Sequence, residues 1–144
     1  MLWNIVFYNI IIMALFDGVQ KAMSINDIAS HLFLLPVKAQ FCHHLTTSYA
    51  AHKALDGLYD SINSMKDEII EKIIGYTGTR YNELNLSKVS GFKETDCKSI
   101  AYEVMNYGKQ LEEHASKQKW CDIENLAQSY SGAGAQCLYL LSLT

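Results

Sequence analysis

The chain has 144 residues, enough for one compact domain and short for two. Apolar residues make up 49% and charged residues 19%, which supports a buried core and argues against a disordered chain. Twelve basic against fifteen acidic side chains give a net charge of −3, so binding of nucleic acid through a basic surface is not expected. One proline and eight glycines are too few for an all-β fold rich in tight turns.

The first sixteen residues are uncharged and mostly apolar. They are too short for a spanning helix, which needs about 20 residues, and lack the cationic start of a secretory signal. The readings open for residues 1–22 are a buried or subunit-contact element, a membrane-surface anchor, or translation that starts later, at Met13 or Met23. Burial or subunit contact is favoured over the membrane, and a cytoplasmic location is expected. Residues 24–142 are expected to form the folded unit, within a single domain spanning 1–144.

Helical periodicity begins near Ser24, with Asn26 and Asp27 in the opening turn, and continues through IASHLFLLPVKAQFCHHL. Pro36 should kink this helix, because its ring removes one backbone bond and crowds the preceding turn. A second helix is expected from Thr47 or Ser48 to about Gly75. Its stripe is Leu55, Leu58, Tyr59, Ile62, Met65, Ile69, Ile73 and Tyr76. Residues 75–93 show no period and read as a crossover. Extended, they could span about 60 Å, so the third helix need not run antiparallel to the second. The third helix is expected over about Glu94–Lys119 and the fourth over about Asp122–Leu141, with Gly132 and Gly134 weakening the fourth or admitting a neighbouring backbone. Two helices, a long crossover and two more helices predict an all-α four-helix bundle. The four cysteines are scattered with no CxxC pair, and are expected to be reduced and mostly buried.

His52, Asp56, Asp67 and Glu71 carry the most informative pattern. Taking His52 as zero, the other three lie at about 40°, 60° and 100° around the helix, so all four share one stripe. Fifteen residues separate His52 from Asp67, roughly 22 Å of helix, so one ion cannot be gripped by both pairs of a single chain. Two copies of the helix packed antiparallel about a two-fold axis would bring His52 to the partner's Glu71 and Asp56 to the partner's Asp67, giving two equivalent shared sites. Imidazole mixed with carboxylate suits an iron-like divalent ion. The bland alternative is a solvated polar face, for Asp60, Lys66, Glu68 and Lys72 lie on the same helix. His114 is expected to be exposed, and Tyr49, Tyr59 and Tyr102 to serve core and interface packing rather than redox relay.

The spacing His52-x3-Asp56-x10-Asp67-x3-Glu71 resembles that of the Dps-type miniferritins of the ferritin-like superfamily. The segment LFLLPVKAQFCHH is similar to the family's first helix, with His43 at the ligand position and His44 where the family has Trp. In length, and in the phrase HHLTTSYAAHKAL, the chain is similar to small ferritin-like proteins encoded by tailed phages. The resemblance implies a shell of twelve subunits and iron sites at the two-fold interfaces. There Fe(II) is oxidised, commonly by peroxide, and stored as mineral. It implies metal ligation by His43 or His44, His52, Asp56, Asp67 and Glu71, with no further catalytic residue. The chain departs from the family in three ways. The turn between His43 and His52 is three residues shorter, the lysine-rich DNA-binding tail is missing, and the apolar N-terminus is foreign. These departures support an alternative, a ferritin-like structural or interaction protein with reduced or lost iron turnover.

Overall fold

The computed structural model describes residues 22–143, and at 94–96 the backbone alone. Residues 1–21, on which the readings of the apolar N-terminal segment fall, lie outside the described residues. Among the described residues there are four α-helices: α1 (Ile25–Leu45), α2 (Tyr49–Thr77), α3 (Ile100–Gln118) and α4 (Cys121–Ser142). Two 3-10 turns, Ser87–Val89 and Glu94–Ser99, lie in the connection between α2 and α3. The third helix therefore starts later than its periodicity suggested, with 3-10 geometry over its expected first turn.

Local chemistry sets the helix starts. At α1 the Ser24 hydroxyl accepts from the Asp27 amide while the Asp27 carboxylate accepts from the Ser24 amide, a reciprocal capping box. At α2 the Ser48 hydroxyl accepts from the Ala51 amide at 3.3 Å. The helix ends at Gly78, where φ of 67° requires the left-handed conformation glycine adopts without strain. Pro36 sits buried inside α1, which continues past it without a break.

The connection 78–99 runs alongside α1 in the same direction. Asn82 exchanges two hydrogen bonds with Asn26, the Asn85 amide donates to Ser30 Oγ, Phe92 packs edge-on against Phe41, and Cys97 is bonded to Cys42. These anchors advance over sixteen residues of α1, about 24 Å. The connection thus carries the chain from the foot of the bundle, at the start of α1, to its head. There α3 starts beside the end of α1 and runs parallel to α2. The helices pack α1 on α2, α2 on α4, α4 on α3 and α3 on α1, each antiparallel to its neighbours. The core is Ile28, Leu32, Leu35, Leu55, Leu58, Ile62, Ile69, Ile73, Ile100, Val104, Leu111, Ile123 and Tyr130.

Helices α3 and α4 approach most closely. A Cβ on Gly134 would lie 2.6 Å from Ala101 O, and one on Gly108 would lie 2.5 Å from the Ser131 amide nitrogen. The backbone approach expected near Gly132 and Gly134 thus falls on Gly134, while Gly132 faces open space. The expectation of four reduced thiols needs correction. Cys42 and Cys97 form a disulfide rather than remaining free thiols, because the crossover brings them to a Cα separation of 5.3 Å. Cys121 and Cys137 are free, and burial pushes the Cys137 thiol up to about 11. Tyr49 and Tyr102 are 78% and 55% exposed, so of the core and interface packing expected for them the core part does not hold. They sit in the first turns of α2 and α3, at the head of the bundle. Trp120 packs at the start of α4, between the rings of Tyr76 and His114. His114 is consequently half-buried, and burial lowers its affinity for a proton.

Candidate metal centre

The three-residue connection between α1 and α2 folds the end of one helix against the start of the next. That places His43, in the last turn of α1, over His52, in the first turn of α2. Their rings stack with centroids 3.9 Å apart and planes 27° from parallel. Each ring bonds the other residue's backbone: His43 Nδ1 donates to His52 O at 3.2 Å, and His52 Nδ1 donates to His43 O at 2.9 Å. A carbonyl oxygen only accepts, so both Nδ1 atoms must carry the proton. In the neutral ring this leaves both Nε2 lone pairs for an external partner, the arrangement that orients metal-binding histidines. Among the described residues, neither Nε2 has a hydrogen-bond partner.

Asp56, one turn beyond His52, joins the pair, with its Oδ1 3.8 Å from His43 Nδ1. That is too long for a hydrogen bond but close enough for electrostatic attraction. Its other oxygen accepts from Lys53 at 3.0 Å. The Lys53 hydrogen bond is the largest influence holding the Asp56 carboxyl below the usual range, so the group is ionised. Lys53 was not anticipated as a partner for Asp56, although its place three residues earlier on the helix is the visible clue.

The six sequence-selected residues thus separate into two groups. His43, His52 and Asp56 come together. His44 stands at the margin, exposed, with its ring 5.2 Å from that of His43. Asp67 and Glu71 are exposed on the same helix, about 17–22 Å of axial rise from Asp56. Among the described residues no group of three or more His, Cys, Asp or Glu side chains could hold a metal within one chain. Asp67 and Glu71 could therefore complete a ligand set only from another copy.

A family of unknown function, DUF5856, matches residues 43–141, well over half of the chain. The chain belongs to this family. No curated protein and no solved structure matches it. The span shared with DUF5856 opens at His43 and contains all six candidate ligands. Among the described residues, no helix is long and apolar enough to cross a membrane.

Proposed function

We propose that this DUF5856 protein binds ferrous iron as its substrate and oxidises it at sites shared by two copies of the chain. The observation that carries the reading is the pair of cross-bonded imidazoles, whose proton positions leave two Nε2 donors free, with the ionised Asp56 on the Nδ1 side of His43. Imidazole nitrogen combined with carboxylate suits a divalent ion of iron type, and since no such group of three forms within one chain among the described residues, the set would be completed by a second copy. The His43 ring already lies on His52, so His43 rather than His44 is the nitrogen ligand from α1. An antiparallel α2 partner would add the partner's Asp67 and the partner's Glu71.

The order of the helices and the crossover that travels the bundle's length also support the ferritin-like reading. In this view two-fold dimers are the building unit of a larger shell, ferric mineral is the stored product, and peroxide is the oxidant. The residues of the chain orient the imidazoles, keep Asp56 ionised and leave coordination positions open to the oxidant. The ion pair of Asp56 with Lys53 favours a second reading, a ferritin-like scaffold in which that carboxylate is already engaged.

Anaerobic protein given ferrous iron and then peroxide should develop ferric absorbance, and Asp67→Ala/Glu71→Ala should not. Equal behaviour of the two proteins would leave the scaffold reading standing. Elemental analysis of the purified oligomer, with its mass by light scattering, reports whether iron is carried and whether a shell forms.

A further inference from the structure

Directly behind the turn that carries the histidines, the head of the bundle contains a cavity of about 500 Å³ between α1, α2, α4 and the end of the crossover. Its wall includes Leu55, Leu138 and Leu141 and the Cys42–Cys97 disulfide. Leu55 and Cys42 are buried, whereas Ser48 and Lys98 are exposed, so the pocket is apolar at depth and polar at its mouth. Lys98 is the one charged side chain among the described lining residues, and it makes no ion pair with another described residue. No described lining residue is a carboxylate. The volume lies within the range of pockets that enclose small molecules and is too small for a docked helix.

We propose that this cavity binds an aliphatic carboxylate of medium chain length, with the hydrocarbon tail against Leu55, Leu138 and Leu141 and the carboxylate at Lys98. The apolar depth recognises the tail by area removed from water, and the Lys98 ammonium at the mouth selects an anionic head. The disulfide forms part of the wall, so reducing it frees the end of the crossover and opens the pocket. The site uses none of the candidate iron ligands.

Titration calorimetry of the full chain with sodium hexanoate, octanoate and decanoate tests this. One site per chain is expected, with affinity rising about fourfold for each methylene added. A trimethylammonium head on the decanoate-length tail should bind about tenfold more weakly or worse, and Lys98→Glu should weaken decanoate by a similar factor. Leu138→Trp, which fills the pocket, should abolish binding, and reducing agent should weaken it. Lys98→Glu changes an exposed side chain and keeps the test independent of whether Leu138→Trp folds. Equal affinity for anionic and cationic heads, or affinity independent of tail length, overturns the proposal. Binding that appears only after removal of residues 1–21 also overturns it, because that segment would then be the occupant.

Discussion

Gly134→Ala and Gly132→Ala place the same methyl group on the same helix two residues apart, with opposite expected effects. At Gly132 a Cβ meets nothing within 4 Å, so the substitution gains only helix propensity and lost unfolded-state freedom, about 0.5–1 kcal/mol of stability. At Gly134 the Cβ would sit 2.6 Å from Ala101 O and 2.7 Å from Met105 N, against the 3.4 Å of ordinary contact. The obstacle is the α3 backbone, so no side-chain rotation relieves it, and the helix must retreat by 3.4 − 2.6 = 0.8 Å. Such a shift strains the close contact and the Ser131 Oγ hydrogen bond to Met105 O at 3.0 Å. Overpacking of this kind costs about 1–3 kcal/mol, which outweighs the propensity gain. The propensity gain is common to both, so the two variants should differ by about 1–3 kcal/mol in urea unfolding followed by far-ultraviolet circular dichroism, with Gly134→Ala the less stable. Stabilities within about 0.5 kcal/mol of each other would refute the close packing of α3 on α4.

The Cys42–Cys97 bridge closes a sequence separation of 55 residues, so reduction should lower stability by about 4 kcal/mol. Unchanged denaturant midpoints with and without reductant would contradict the pairing. Lys38 has a side chain only 7% exposed and rests on Glu103 at 2.8 Å and on the Phe92 ring, whereas Glu103 is 38% exposed. Glu103→Ala strands a buried ammonium and should cost about 2–3 kcal/mol, while the double change Lys38→Met/Glu103→Leu should come out near neutral. A double variant as unstable as Glu103→Ala would contradict this. The Asp122 carboxyl is held below its ordinary range by hydrogen bonds from the Tyr76 hydroxyl and the Lys72 ammonium. A depressed folded-state pKa contributes stability above the ordinary value of 3.8 that is lost as pH falls below it. Thermal unfolding from pH 6 down to pH 2 should thus fall less steeply for Asp122→Asn than for wild type, and parallel curves would rule out the contribution.

The sequence revealed what depends on near neighbours. Ser24 and Ser48 mark helix starts because a hydroxyl there reaches an amide three residues on. Of the α2 stripe, Leu55, Leu58, Ile62, Ile69 and Ile73 are buried as its spacing requires, Tyr59 and Met65 are half-buried, and Tyr76, in the last turn, is exposed. The length of residues 75–93 left room for a crossover that runs the length of the bundle, and the chain takes that course. The helix-2 pattern could be placed on one face by angle alone. What stayed hidden depends on register between distant segments. Cys42 and Cys97 meet only because the crossover runs along α1 with Asn82 at Asn26 and Phe92 at Phe41. The reciprocal His43–His52 bonds depend on how three residues, Thr46 to Ser48, turn the chain. Gly132 and Gly134 look equivalent in sequence, and only the position of α3 separates them. Tyr49 and Tyr102 sit in periodic segments yet face outward, because each lies in a first turn at the end of the bundle.

Sharing of the site between copies is tested most directly by complementation. His43→Ala/His52→Ala chains and Asp67→Ala/Glu71→Ala chains, each prepared alone, should bind no iron. In a mixed dimer one of the two sites draws its histidines from the second variant and its acids from the first, and is whole. Random reassociation should therefore restore about a quarter of the wild-type iron sites, read by ferrous titration. A mixture as inert as its components, or full binding by either variant alone, would contradict the account.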